Sequence, residues 1–285
     1  MNRLSTQRRC EILKLLVEGN SLQAIARITG ANINTVMWLL EDLGTAAKAY
    51  QDMVLTDLPC QRIQLDEVWS YIADGGKGLA PEERCRPRSR DCWLWIAFDP
   101  DSRLVVSWHV GKRTLEDARD FVYDLQTRIP CRVQVSTDGY KAYKTVVEEA
   151  FGSQADHGMV IKIYDNGKTD PDTLRVFDQP GIHKFTVSGN PDPGKISTSL
   201  IERQNLTLRQ SSRRFARRTT GFSRKFENHC HAVALHFLWR NFCCQHSSLR
   251  VSPAMQIGIA DHIWEPEEVI ALVDEQNLVF KREHL

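Results

Sequence analysis

Hydrophobic positions at the start of the chain recur at helical spacing. Ile12, Leu13, Leu15 and Leu16 place a helix over residues 6–18, which Gly19 stops. Ser21 caps a second helix that runs through Ala24, Ile25 and Ile28 to Gly30. Asn32 caps a third, carrying Ile33, Val36, Leu39, Leu40 and Leu43. Helix, tight turn at Gly30 and helix are the layout of a helix-turn-helix, which sets Asn34, Thr35 and Trp38 early on the recognition helix. Past a linker at 56–60 the period changes to that of strands, predicted at 62–72, 92–98 and 104–110. The last two are joined by the turn residues Asp99-Pro100-Asp101-Ser102. A helix at 115–129 shows Ala118, Phe121, Val122 and Leu125 on one face; a strand at 132–137, a helix at 140–151 and a strand at 159–164 follow. The Pro-, Gly- and Asp-rich stretch 165–194 reads as an insertion. Two long helices are predicted at 196–220 and 223–247, separated by Gly221, and Pro266 opens a terminal acidic helix.

This order divides the chain into an all-α domain at 1–55, an α/β domain at 61–247 and an acidic helical tail at 248–285. With 285 residues, 42% hydrophobic, there is chain enough to bury proper cores. No apolar run reaches the roughly 18–20 residues of a membrane span. Lys14 interrupts the one apolar stretch near the N-terminus, so no secretory signal is read there. Eight cysteines without C-x-x-C spacing read as reduced thiols, and a soluble cytoplasmic protein with no membrane partner is expected.

The net charge of +1 conceals an asymmetry. From 203 to 225 there are eight basic residues and no acid: Arg203, Arg209, Arg213, Arg214, Arg217, Arg218, Arg224 and Lys225. A block so dense in arginine favours a polyanion over a merely solvated face, because the guanidinium fork matches phosphate.

Three carboxylates stand out by position. Asp66 lies inside the first predicted strand, where an unpaired charge is expensive. Asp138 follows the strand 132–137, at the end where open α/β sheets bind ligands. Glu202 lies near the start of the basic helix, and at about 100° per residue Leu206, Arg209 and Arg213 share its face. Ile201, Leu208 and Phe215 form the core stripe of that helix. Hard oxygen donors without cysteine or histidine suit Mg²⁺ or Mn²⁺. Two such ions roughly 3.5–4 Å apart serve in-line phosphoryl displacement.

Each acid also has an ordinary reading. Ser199-x-x-Glu202 is a capping box, Asp138-Gly139 a strand-ending turn, and Asp66-Glu67 could stand at an exposed sheet edge. Glu67 is expected on the opposite sheet face from Asp66 and structural, and Asp99 is expected in a turn. The three acids in this order, ahead of a basic helix, favour the catalytic reading.

Three blocks carrying these acids resemble the signatures of DDE transposases: Asp66-Glu67-Val68-Trp69-Ser70, Thr137-Asp138-Gly139-Tyr140-Lys141-Ala142-Tyr143, and the run from Ile201-Glu202-Arg203 to Leu208-Arg209. The resemblance is to bacterial insertion-sequence transposases of the IS-one type. It implies an RNase H-like domain, a mixed five-stranded sheet flanked by helices, preceded by the helix-turn-helix. It also implies that Asp66, Asp138 and Glu202 hold two divalent ions (Mg²⁺ or Mn²⁺) and that Arg209 contacts the element's end. The implied chemistry is cleavage that frees a 3′-hydroxyl, which then attacks a target phosphodiester without a covalent enzyme intermediate. The implied partners are double-stranded DNA, as element ends and target, and further copies of the chain in a homodimer or larger homo-oligomer, in a bacterial cytoplasm at the nucleoid. The expected DNA contacts are Asn34, Thr35, Trp38, Asn205, Arg209, Arg213, Arg214, Arg217, Arg218 and Lys225. Thr198 and Lys195 stand where the family often has Arg and Tyr, and the spacing from Asp138 to Glu202 is longer than in compact integrases.

Two other classes are weighed: a catalytically inactive helix-turn-helix regulator, and an RNase H-like nuclease that hydrolyses without strand transfer. Three intact acids argue against the first, and the N-terminal helices against the second. His229, His231, His236 and His246 with Cys230, Cys243 and Cys244 fit no standard zinc spacing and read as packing.

Overall fold

The computed structural model describes residues 4–73, 91–163, 172, 181–216 and 219–283. They fall into two compact units: one from 55–69 and 92–207, the other from 1–54, 70–91 and 208–285 as far as these are described.

The first unit is built on a six-stranded mixed sheet in the order β3-β2-β1-β4-β5-β6. Its strands are β1 (Arg62–Tyr71), β2 (Asp91–Phe98), β3 (Val105–Gly111), β4 (Val133–Asp138), β5 (Ala155–Ile163) and β6 (Gly181–Ser188). β1 and β5 both run parallel to β4, whereas β2–β3 and β5–β6 are antiparallel. The Asp99 turn forms as expected, with the buried Asp99 carboxylate accepting the Ser102 hydroxyl at 2.6 Å. Helices α4 (Leu115–Arg128) and α5 (Lys141–Phe151) pack on each other, and α4 lies against β3. Trp95, Phe121 and Tyr143 are fully buried, with Trp95 5.9 Å from Tyr143 in an edge contact and 6.0 Å from Phe121.

Two expectations need correction. The sheet has six strands where five were expected, because 181–188 forms β6 inside the stretch read as insertion. The basic helix, α6 (Ser199–Ser211), stops well short of residue 220. Ser212 is extended at φ −133°, ψ 113°, and Arg213–Phe215 form a separate 3₁₀ turn. Ile201, Leu208 and Phe215 are buried as predicted, but Arg213 is off the helix and no longer on the face of Glu202.

The second unit begins with α1 (Thr6–Val17), α2 (Leu22–Thr29) and α3 (Ile33–Val54). Ser21 caps α2 by accepting the Ala24 N–H at 3.1 Å, and Gly30 ends it in the left-handed region at φ 67°. Asn32 accepts the N–H of Asn34 at the start of α3. α3 packs along α7 (Phe226–Leu238) so closely that a Cβ at Gly44 would lie 2.3 Å from the Cβ of His231. α8 (Pro253–Gln256) and α9 (Pro266–Glu283) follow. α9 docks within the chain: Val269, Ile270 and Val273 are buried, and Asp274 takes a two-pronged ion pair from the buried Arg9 of α1 at 2.7 and 3.0 Å.

Candidate active site and nucleic-acid interface

Parallel pairing of β1 with β4 sets Leu65 opposite Thr137. Asp66 and Asp138 are the next residues on each strand, so the register alone brings them side by side. Carboxylate oxygens of Asp66, Glu67 and Asp138 all lie within 4.8 Å of one another.

Each acid is held by specific donors. Asp66 accepts its neighbour's N–H, from Glu67, at 2.9 Å and the Asn205 side-chain amide of α6 at 2.7 Å. Asp138 accepts the Tyr140 N–H at 3.0 Å, so the strand-ending turn and the acidic cluster use the same side chain. Glu67, almost fully buried, accepts Arg113 Nε at 2.8 Å and the Tyr143 hydroxyl at 3.0 Å. The Arg113 guanidinium is itself clamped, 4.3 Å from the Tyr140 ring centroid and 5.0 Å from that of Trp93. Glu67, expected on the opposite face from Asp66, nonetheless brings its carboxylate within reach of the other two. The side chain is long enough to carry its carboxylate into the cluster, with partners remote in sequence that no local pattern reveals.

Burial, then the charge of Asp138, pushes the Asp66 carboxyl up to about 7, against the donors Glu67 N–H and Asn205. Glu67 is also driven up, by burial first and then by Asp138 and Asp66, with Arg113 and Tyr143 opposing. Crowded hard oxygens whose negative charge is costly are the donor set a divalent cation satisfies.

Glu202 reaches a different set of partners. Its carboxylate accepts the Thr198 hydroxyl at 2.6 Å and the Lys162 ammonium. The capping box does not form: those partners are side chains, not the backbone at the helix start. Glu202 is nonetheless near enough for its charge to add to the upward shift of the Asp66 carboxyl.

The expected DNA contacts are distributed unevenly. Asn34 and Trp38 are exposed and Thr35 half-buried on the first turns of α3. Arg209 is half-buried on α6, Arg213 exposed, and Arg214 donates to Ser223 Oγ at 2.7 Å. Lys225 is exposed at the start of α7, while Arg217 and Arg218 lie outside the described residues. Asn205 is buried beside Asp66. The histidines set aside as packing behave so: His229 is buried between Ser70 and Ser223, and burial lowers it to about 3.

Asp66 and Asp138 thus stand on adjacent parallel strands, and α6 carries both Glu202 and Asn205. The family model described as IS1 transposase matches residues 177–243, the stretch that carries Glu202. The insertion element iso-IS1n protein InsB of Shigella dysenteriae is 26% identical over 167 residues, 58% of this chain and 86% of that protein. Among solved structures, a piggyBac transposase synaptic complex with hairpin DNA aligns over 98% of this chain and 72% of that one, at 10% identity and a TM-score of 0.40. The Mos1 transposase paired-end complex aligns over 55% of this chain, at 12% identity and a TM-score of 0.23. The chain spans 60% of the length of that Mos1 chain. The chain is thus similar to IS1 transposases, the family match falling on the third of the three blocks.

Proposed function

We propose that the chain is a metal-dependent DNA transposase that cuts the ends of an insertion element and joins them to target DNA. The observation that carries this is the side-by-side placement of Asp66 and Asp138 by the β1–β4 register, with Glu202 on α6 close enough to be felt by Asp66. The sheet order, with parallel β1, β4 and β5 and the antiparallel β2–β3 pair, supports an RNase H-like reading of this unit. α1–α3 read as a helix-turn-helix for end recognition, with Asn34, Thr35 and Trp38 presented on α3.

Asp66 and Asp138 would hold Mg²⁺ or Mn²⁺, with Glu202 as third ligand. When bound, two such ions activate the attacking oxygen and stabilise the leaving one. The protein's own residues orient the ligands. Asn205 and the Glu67 N–H fix Asp66, the Tyr140 N–H fixes Asp138, and Lys162 with Thr198 positions Glu202. Arg209, Arg213, Arg214, Arg217, Arg218 and Lys225 supply cations for DNA phosphates, whose neutralisation makes binding salt-dependent. Joining two ends calls for a homodimer or larger homo-oligomer, acting in the bacterial cytoplasm.

The test is cleavage and joining of a labelled element-end duplex with Mg²⁺ or Mn²⁺, comparing wild type with Asp138→Asn and Glu202→Gln. Joining that both variants lose while still binding the duplex supports the reading. Tight, sequence-specific binding without wild-type chemistry moves it to a regulator, and cleavage without joining to a hydrolytic nuclease.

A further inference from the structure

Within the unit that carries α1–α3 lies a cavity of about 570 Å³, in the roughly 300–1,000 Å³ range of small-molecule sites. Its walls differ in chemistry. Ile33, Met37 and Leu235 contribute an apolar side, with Asn34 beside them. Arg213, Arg214, Arg224 and Lys225 contribute four cations, and among the described residues no acidic side chain lines the cavity. At the same wall His236 is nine-tenths buried, and its Nε2 has no hydrogen-bond partner. A buried ring nitrogen left without a partner is costly unless a ligand or water completes it.

An apolar lining combined with a cluster of arginines matches a flat, weakly polar body attached to a phosphate. We propose that this cavity binds a nucleotide, with the base against Ile33, Met37 and Leu235 and the phosphate on Arg213, Arg214, Arg224 and Lys225. His236 and Asn34 hydrogen-bond the base edge. None of the carboxylates lines the cavity and no metal ion is needed, but Asn34, Arg213, Arg214 and Lys225 are shared with the proposed DNA contacts, so the inference deepens that part of the reading. The nucleotide is either free or part of a DNA strand, and the two sources are separable by experiment.

The experiment is calorimetric titration of the full chain, in EDTA, with inorganic phosphate, with dAMP and with a five-nucleotide single strand of thymidylate. dAMP binds saturably and at least tenfold more tightly than phosphate. Ala232→Phe, which fills the cavity from α7 without changing charge, abolishes that binding, and the surface variant Lys225→Glu weakens it about tenfold. The same losses for the oligonucleotide, starting from tighter wild-type binding than dAMP, assign the site to a DNA strand; equal or weaker oligonucleotide binding assigns it to the free nucleotide. Phosphate binding as tightly as dAMP, no saturable binding of either nucleotide probe, or dAMP binding that Lys225→Glu and a folded Ala232→Phe both leave intact, overturns the proposal.

Discussion

The Asn205 amide donates to Asp66 at 2.7 Å, while its own oxygen is buried without a hydrogen-bond partner. A flipped amide would set oxygen against carboxylate, so the acid dictates the orientation and the helix gives up a hydrogen bond to keep it. Residues that orient metal ligands in this way typically change affinity or activity about 10–100-fold when removed. Asn205→Ala should therefore raise the half-saturating Mn²⁺ concentration and slow cleavage by that order. Metal titrations of end cleavage, with duplex binding as control, check it.

Lys162 and Glu202 are each more than a third exposed, at 36% and 40% of their side-chain surface. Pairs of that kind contribute about 0–1 kcal/mol. Lys162→Met should leave urea stability within that margin while lowering the metal concentration needed for cleavage, because Glu202 loses its resident cation. An unchanged metal requirement would separate Lys162 from the site.

The pH dependence carries opposed contributions. Asp66, raised in the folded chain to about 7, stabilises the metal-free protein below its unfolded value near 3.8, and that stabilisation is lost as pH rises through about 7. His157, His229 and His236 are depressed to about 4, 3 and 3, so their contribution is present above about 6.5 and lost as pH falls toward those values. The difference between wild type and Asp66→Asn isolates the carboxylate. In EDTA, melting scans from pH 4 to 8 should show the variant gaining on wild type as pH rises.

Arg113 neutralises a carboxylate that is almost wholly inside the protein. Arg113→Ala takes the cation from a buried carboxylate that keeps, among the described residues, only the Tyr143 hydroxyl and is driven to take up a proton; breaking buried pairs costs about 3–5 kcal/mol. Adding Glu67→Gln should recover part of that loss, and denaturant unfolding of the single and double variants measures the recovery. Equal stability of the two would show that stacking on Tyr140 and Trp93, not the ion pair, dominates.

At Gly44 the contact is with backbone as well as side chain, since an added Cβ would meet the His231 Cα at 2.5 Å. Gly44→Ala should therefore cost about 1–3 kcal/mol through overpacking, although alanine is the better helix former. Thermal unfolding of this variant beside Gly19→Ala, another close approach, at 2.2 Å to the Ser211 carbonyl, would compare the two.

What the sequence disclosed follows from how local each signal is. Ser21 and Asn32 mark helix starts through bonds to residues three and two positions away, Gly30 marks an end by its left-handed backbone, and the helices fall where those residues put them. Asp66 was legible as a charge inside a strand, and Asp138 as the end of one. β6 was not: it is an edge strand with no buried residue, half exposed and half partly covered, joined to β5 by backbone pairing that leaves no alternating apolar trace. The early end of α6 has no Gly or Pro to announce it; only Ser211 and Ser212, which compete for backbone hydrogen bonds, mark the place. Glu67 finds Arg113 and Tyr143 across 46 and 76 positions, a relation that exists only after folding.

The proposed ligands arise in chain order on β1, β4 and α6, and the last belongs to a helix that begins only after β6. During synthesis, a ribosome-bound chain therefore exposes its N-terminal helices, and then two acids, well before Glu202 emerges. Yet α1 and α3 pack on α9 and α7, so their unit is complete only once the last helix has been made. A product truncated ahead of α6 would therefore lose the packing partners of α1 and α3 together with Glu202.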